Sequence, residues 1–132
     1  MGPSGNAIPL FIGGNGPKAQ RFAAHYADIY GCFAEQRSHV EELGPRLTSL
    51  EKVCEEIGHD PATIGRSAGV EVLPLEPAGS RPDSICGPTE AIADALRSFG
   101  QAGFTSVEIM FSPGMMDAFE ALARVAEVLA RD

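Results

Sequence analysis

The sequence predicts an α/β fold built from four consecutive βα units, because short apolar runs alternate with longer segments of helical periodicity. The runs that predict strands are Ile8 to Ile12, Asp28 to Phe33, Val70 to Leu75 and Thr105 to Phe111. Strands joined by helices form a parallel sheet, since a parallel crossover needs about a dozen residues or more. Four such units allow an open doubly wound sheet or one half of a closed barrel, and periodicity alone leaves both open.

The first unit predicts a buried strand followed by a short helix. Ile8 to Ile12 is apolar and ends in glycines, which is typical of a strand buried on both faces. Pro17 suits the first turn of a helix, where its missing N–H would be unpaired in any case. The helix is expected to end near Ala27. Its predicted apolar face consists of Ala19, Phe22, Ala23 and Tyr26.

The second unit starts with Asp28 to Phe33, a strand weakened by Gly31, and continues into a long helix. The apolar positions of that helix are Val40, Leu43, Leu47, Leu50, Val53, Cys54 and Ile57. We expect it to break or kink at Gly44-Pro45 and to stop at Gly58. The third strand follows the turn His59-Asp60-Pro61 and leads into the longest loop, Pro77 to Gly87.

The last two helices frame the fourth strand. The first begins at Thr89 and repeats apolar residues with a 3.6-residue period at Ile92, Ala95, Leu96 and Phe99. The second follows Ser112-Pro113-Gly114, with Met115-Met116 as an apolar anchor and Asp117 near its start. Its predicted apolar stripe is Phe119, Leu122, Ala123, Ala126 and Leu129.

Length and composition predict one domain at 8–132 after a flexible leader at 1–7, since 132 residues with 44% hydrophobic content can bury a core. A net charge of −8 argues against nucleic-acid binding, which needs clustered cations. No apolar stretch reaches the roughly 20 residues of a membrane span. Cys32, Cys54 and Cys86 lie far apart, which predicts free structural thiols, no metal site and a cytoplasmic location.

One turn combines the residues that a phosphate site needs. Gly13-Gly14-Asn15-Gly16 joins the end of a predicted strand to the start of a helix. Glycines let backbone N–H groups approach a phosphate, and the helix terminus favours an anion. The motif matches neither GxGxxG nor a Walker loop, so a purely structural turn is an equal alternative. Lys18 is either a helping cation or a solvated side chain.

The same segment resembles a known family. IPLFIGGNGPKAQRFAAHYADIYGCF, from Ile8 to Phe33, is similar to the fifth βα unit and following strand of the luciferase-like monooxygenase superfamily. The likeness continues through EEIGHDPATIGRS at Glu55 to Ser67, GPTEAIADAL at Gly87 to Leu96 and AGFTSVEIMF at Ala102 to Phe111. It covers nearly the whole chain, in the family's order, and its spacing resembles the deazaflavin-using branch.

This resemblance implies the C-terminal half of a (βα)8 barrel that uses coenzyme F420 or FMN with a small organic substrate. The implied phosphate ligands are Gly13, Gly14, Asn15 and Gly16, and Lys18 is left out because the family's residue there varies. No catalytic residue is named, since the family's first four units supply much of the ring pocket. The alternative is a non-catalytic half-barrel module that binds cofactor phosphate or self-associates.

A half-barrel exposes strand edges that a closed barrel does not have, which is an association hazard. We therefore expect a homodimer, or pairing with a separate N-terminal half-barrel, and no membrane or nucleic-acid partner.

Several other side chains carry weaker functional hypotheses. Glu71 and Glu108 alternate with apolar neighbours and could point into a barrel, or could pair with a structural arginine such as Arg66. The expected surface histidines are His25, His39 and His59. The residues expected in core packing, or else near the cofactor ring, are Tyr30, Cys32, Met110 and Phe111.

Overall fold

The computed structural model describes residues 7–81, 83–110 and 118–131, and in them the α/β class is confirmed. Strands and helices alternate along the chain, apart from a short 3-10 helix at Pro61–Thr63 and one added strand. The strands are β1 (Phe11–Gly13), β2 (Ile29–Phe33), β3 (Gly65–Leu73), β4 (Ile85–Cys86) and β5 (Ser106–Met110). The helices are α1 (Pro17–Tyr26), α2 (Val40–Ile57), α3 (Thr89–Gln101) and α4 (Ala118–Ala130).

Every strand pairing is parallel, as predicted. β2 lies between β1 and β3, and β5 pairs with β3. The register aligns Gly13 with Gly31, Gly31 with Ser67, and Gly69 with Glu108. Among the described strands, β1, β4 and β5 each have a single neighbour, so the sheet has open edges.

Strand bounds differ from the prediction where side chains are small. β3 starts at Gly65 rather than Val70, and its first five residues pair with all of β2. This stretch does not form an apolar run in the sequence, because it contains Gly65, Ser67 and Gly69. β4 lies inside the predicted loop Pro77 to Gly87 and pairs only with Val72 and Leu73.

The prediction that the first strand is buried on both faces is wrong. β1 spans Phe11–Gly13, and Ile8 is 76% exposed and Phe11 51% exposed. An apolar run indicates two buried faces only when helices or further strands cover both of them. Here β1 is an edge strand with one face open.

Two predicted helix faces are rotated. α1 buries Gln20, Ala23 and Ala24, whereas Phe22 and Tyr26 are exposed with their rings 5.0 Å apart. Small side chains let α1 approach the sheet closely, so the bulkier aromatic residues face outward. α4 likewise buries Ala118, Ala121, Val125 and Val128 rather than the predicted stripe, of which only Leu122 and Leu129 are partly buried.

Of the break or kink predicted at Gly44-Pro45, the break is excluded, because α2 is continuous from Val40 to Ile57. Pro45 is the sixth residue of α2, so the helix lacks one internal hydrogen bond, the one that an N–H at this position would donate to the Glu41 carbonyl, and it continues past this gap. Gly58 ends α2 in the left-handed region (φ 73°) and donates its N–H to the carbonyls of Cys54 and Glu55, as predicted.

The two faces of the sheet have different surroundings. The helix face carries side chains that pack against the helices, such as Tyr30, Cys32, Ala68, Val70 and Val72. The inner face carries the alternate side chains, among them Phe11, Phe33, Ser67, Glu108 and Met110. The core of the molecule lies on the helix face.

Some predicted features lie outside the described residues. These are most of the leader, the end of the fourth strand at Phe111, the Met115-Met116 anchor and Asp117. In the part of the chain that the structure describes, no helix is long and apolar enough to cross a membrane.

Candidate functional site

The Gly13–Gly16 turn lies at the carboxyl end of β1 and runs directly into α1. Gly14 extends the sheet pattern, since its N–H donates to the Gly31 carbonyl over 3.0 Å. Gly16 is the N-cap of α1 and has no side chain to cap it, and Pro17 is the first helical residue. The start of α1 is thus left open at the strand end where αβ proteins place ligands.

Gly14 and Gly16 differ in the space that is available for a side chain. A Cβ on Gly14 would lie 2.5 Å from the Cβ of Ala19, well inside van der Waals contact. A Cβ on Gly16 would meet nothing within 4 Å. Gly14 therefore allows the turn and α1 to pack closely, whereas Gly16 keeps the outer side of the turn open.

Two side chains hold successive carbonyls of the turn. The Tyr30 hydroxyl donates to the Gly14 carbonyl over 2.7 Å, and Nη1 of Arg46 donates to the Asn15 carbonyl over 3.0 Å. All peptide bonds of the described residues are trans, so each N–H points opposite to the preceding carbonyl. The N–H groups of Asn15 and Gly16 consequently point away from Tyr30 and Arg46.

These amides are available to a ligand. Among the described residues, the N–H groups of Asn15, Gly16, Lys18 and Ala19 have no acceptor, and Pro17 has no N–H. Several unpaired amides at one helix start are the arrangement that binds phosphate or carboxylate oxygens. The geometry thus provides donors for an anion without help from a side chain.

The Asn15 side chain serves the fold. It is almost fully buried, its Nδ2 donates to the Phe33 carbonyl (3.0 Å) and to Oε1 of Glu35 (2.8 Å), and its Oδ1 accepts the Phe33 N–H (3.1 Å). The amide group thereby ties the turn to the end of β2. What Asn15 can offer a ligand is its backbone N–H.

Sequence reasoning missed the residues behind the turn, Gln20 and Arg46, and the hydroxyl role of Tyr30. Gln20 donates from Nε2 to the Tyr30 hydroxyl (3.3 Å) and to the Arg46 carbonyl (3.1 Å). A glutamine beside Ala23 and Ala24 on a small-residue helix face was a usable signal for a buried network. Arg46 gave no signal, since nothing in its spacing relates it to a turn 30 residues earlier.

The protonation and charge of this network suit its role. Burial raises the pKa of the Tyr30 hydroxyl, so it keeps its proton and donates to the turn. Nη2 of Arg46 lies 4.0 Å from Oε2 of Glu35, so a partly exposed ion pair is beside the turn. Lys18 is exposed on the first turn of α1.

The remaining candidates divide between the two faces. Glu71 and Glu108 are on the inner face, where Glu71 accepts a hydrogen bond from the Ser84 hydroxyl. The suggested pairing with Arg66 is wrong, because Nη1 of Arg66 lies 3.5 Å from Oε1 of Glu51. Arg66 is on the helix face of β3 and cannot reach carboxylates that project from the other side.

Core packing of Tyr30 and Cys32 is confirmed, as are the surface positions of the three histidines. Burial raises the pKa of the Cys32 thiol to about 11, so this group is a neutral core side chain near pH 7. All three cysteines are free thiols.

Comparisons with known proteins identify the fold. No protein-family model matches the sequence, and no curated protein does either. A solved structure of an F420-dependent secondary alcohol dehydrogenase in complex with an F420-acetone adduct has a TM-score of 0.61 at 14% identity, over 92% of this chain and 50% of that chain. Long-chain alkane monooxygenase (LadA) gives 0.67 at 16%, over 92% and 41%. The coenzyme F420-dependent tetrahydromethanopterin reductase from Methanopyrus kandleri gives 0.69 at 16%, over 91% and 49%.

At these identities the likeness shows the fold, and this chain spans half or less of each matched structure. By their names, two of the matched structures are F420-dependent enzymes and one is a monooxygenase. The chain therefore has the parallel βα fold of one half of a (βα)8 barrel, as predicted.

Proposed function

We propose that this chain forms the part of a luciferase-like oxidoreductase barrel that holds the phosphate end of coenzyme F420 or FMN, for reaction with a small organic substrate. The observation that carries the proposal is the pair of N–H groups at Asn15 and Gly16, turned outward because Tyr30 and Arg46 hold the carbonyls. The names of the matched structures, two F420-dependent enzymes and one monooxygenase, support the same cofactor class.

The residues present fit a phosphate group. Gly14 leaves no room for a side chain, and the open side of Gly16 gives an anion access to the free amides. Either cofactor, when bound, supplies the redox chemistry itself. The chain's own contribution is to bind and orient: the amides take the phosphate oxygens, and Arg46 adds positive charge behind them.

Titration tests the proposal directly. Fluorescence of FMN and of F420 should change saturably when this chain is added, and inorganic phosphate should compete. Gly16→Asp is the sharpest variant, because aspartate is a favoured N-cap residue that stabilises a helix start, while its charge repels phosphate. We expect unchanged or slightly higher thermal stability together with loss of cofactor binding.

Gly16→Asn is the matched control, since it can also cap α1 but carries no charge. It should bind cofactor better than Gly16→Asp does. If Gly16→Asp binds FMN and F420 as well as the unchanged chain does, or if neither cofactor nor phosphate binds the unchanged chain, the turn is only structural and the proposal fails.

We also infer that four further βα units cover the inner face. Phe11, Phe33 and Met110 are 51%, 46% and 40% exposed there, and the sheet has open edges. Exposed apolar faces and unpaired edges favour association. A second copy of the chain or a separate N-terminal half-barrel would supply the missing strands.

Light scattering separates these outcomes. A mass of twice the 13.9 kDa of the chain supports the second copy. A mixture with an N-terminal half-barrel that forms a one-to-one complex supports the other arrangement. A stable monomer that ignores such a partner would contradict both.

A non-catalytic half-barrel module that binds cofactor phosphate or self-associates is the alternative function. Cofactor binding without turnover in every assembled state would support the module. Substrate-dependent oxidation of the reduced cofactor would support the oxidoreductase.

A further inference from the structure

We propose that a second cavity, between the start of α2 and the outer side of α3, binds a small organic anion, a carboxylate or phosphate that carries a short apolar group. The cavity has a volume of about 380 Å³ and includes Arg37 and Ser38 before α2, Arg81 and Ser84 before β4, and Phe99 of α3. Its volume is in the usual range of small-molecule sites. It shares no described residue with the Gly13–Gly16 turn.

The charge of this cavity is opposite to that of the whole chain. The chain carries a net charge of −8, yet the described residues that line the cavity include two arginines and no carboxylate. The Glu71 carboxylate lies behind this lining and accepts the hydrogen bond of the Ser84 hydroxyl. A cationic pocket in an acidic protein selects for an anion. The nearby His39 is not needed for this, because its Nδ1 accepts the Glu41 N–H.

Among the described residues, Arg37 and Arg81 have no ion pair with a carboxylate, and neither do Arg124 and Arg131. Each of four other arginines lies within ion-pair distance of a carboxylate: Arg21, Arg46, Arg66 and Arg97. The guanidinium groups of Arg37 and Arg81 have no acceptor among the described residues, so their donors are free. Guanidinium forks match the two oxygens of a carboxylate or phosphate.

A buried hydroxyl and an apolar wall complete the site. Ser38 is 7% exposed, and its Oγ accepts the Glu71 N–H over 2.8 Å, which leaves its own proton without an acceptor among the described residues. Ser38 can therefore donate to a bound anion. Val40, Ile85 and Phe99 line the other side of the cavity and suit an apolar group.

Phenyl phosphate is a suitable probe, because it joins a phosphate to one apolar ring. In a ¹⁵N-resolved NMR titration of the full chain, we expect saturable shifts at the amides of Ser38, Ser84 and Ala95. Arg37→Gln and Arg81→Gln should each weaken binding about tenfold or more, the usual effect of losing a charged hydrogen bond. Arg124→Gln, an exposed position on α4 outside the cavity, should leave binding unchanged.

The turn is a competing site for any phosphate, so the titration is repeated in the Gly16→Asp background. Shifts at Ser38 and Ser84 should remain there, whereas shifts at Asn15 and at position 16 should disappear. The cavity proposal and the turn proposal can therefore fail independently. Phenol, which lacks the charge, should bind at least tenfold more weakly than phenyl phosphate does.

Cys86 offers a second measurement. It lines the cavity and is partly exposed, whereas Cys32 and Cys54 are buried. Phenyl phosphate should slow modification of Cys86 by a thiol reagent several-fold in the unchanged chain and not in the Arg37→Gln, Arg81→Gln double variant. If phenol binds as tightly as phenyl phosphate, if both single variants bind normally, or if no shift saturates, the anion site is refuted.

Discussion

The two faces of the central sheet differ in how completely the chain covers them. On the helix face, Val70, Val72 and Tyr30 are fully buried in the core. On the inner face of the same sheet, the side chains of Phe33 and Met110 keep nearly half of their surface exposed. The same strands supply both sets of side chains, so strand composition alone does not explain the difference.

The difference separates the face of the sheet that stabilises the fold from the face that the chain leaves uncovered. The helix face stabilises the fold, because burial there removes apolar surface from water within one chain. The inner face contributes little to that stability until something covers it. The Gly13–Gly16 turn connects the two faces: side chains of the helix-face network hold its carbonyls, and its free amides point away from that network.

The largest effect should come from opposite substitutions on the two faces. Val70→Ala removes two methyl groups from a fully buried site and should lower the free energy of unfolding by about 2 kcal/mol or more. Phe33→Ala removes a larger side chain, yet should cost about 1 kcal/mol or less in the isolated chain, since the ring is half exposed. Urea unfolding measures both values.

If Phe33→Ala destabilised the chain more than Val70→Ala at every protein concentration, the helix face would not be the more stabilising of the two faces. A loss that appears only at high concentration would instead indicate that the ring is buried in an assembly.

Alkaline pH should weaken the helix face next. Burial raises the pKa of the Cys32 thiol from 9.0 to about 11, so folding favours its protonated form. This stabilisation is fully present below about pH 9 and is lost as the pH rises through about 11, an effect of roughly 2–3 kcal/mol.

Unfolding free energies between pH 8 and 11.5 test this. Cys32→Ala should lose less stability over that window than the unchanged chain does. Burial also raises the pKa of Tyr30, so part of the dependence should remain in the variant. Equal slopes for the two proteins would contradict the prediction.

The turn itself should be sensitive at one glycine and tolerant at another. Gly14→Ala places a Cβ 2.5 Å from Ala19 and should cost about 1–3 kcal/mol by overpacking, with loss of phosphate binding as α1 shifts. Gly16→Ala has open space and should leave stability nearly unchanged, while its methyl group narrows the access of phosphate to the free amides. Thermal unfolding and phosphate titration of both variants provide the check, and equal behaviour of the two would refute the packing argument.

The smallest effect should come from a single hydroxyl. Tyr30→Phe leaves the Gly14 carbonyl without its donor and should cost about 1 kcal/mol, with phosphate binding weakened several-fold because the Asn15 amide is no longer fixed. Tyr26→Phe is the control, since Tyr26 is exposed on α1. A Tyr30→Phe variant with lower stability but normal phosphate affinity would show that the hydroxyl supports only the fold.

Many elements of this fold can be predicted from local sequence patterns. The side of each helix that packs against the sheet cannot always be predicted in this way, because it depends on tertiary packing. The α/β class, the helix stop at Gly58 and the stripe of α3 could be read from periodicity and glycine placement. The core-facing sides of α1 and α4 could not be predicted, because alanines are buried there while larger residues such as Phe22 and Phe119 are exposed. Hydrophobicity alone predicts that these phenylalanines are buried, but α1 and α4 pack too closely for such large side chains to fit in the core.

The candidate site shows the same limit. Gly13–Gly16 was visible as a glycine cluster, yet its orientation depends on Tyr30 and Arg46, which are distant in sequence. The Arg37 and Arg81 cavity is formed by two loops more than 40 residues apart, so no motif predicts it. Contacts between separate segments are set by the assembled fold.

The hydrogen bond from Tyr30 to Gly14 has a practical consequence for spectroscopy. The chain contains no tryptophan and two tyrosines, and Tyr30 is the one attached to the turn. Tyrosine emission can therefore be recorded without tryptophan overlap, and in Tyr26→Phe it comes from Tyr30 alone. Inorganic phosphate does not absorb near ultraviolet light, so the turn holds its own optical reporter of an arriving anion.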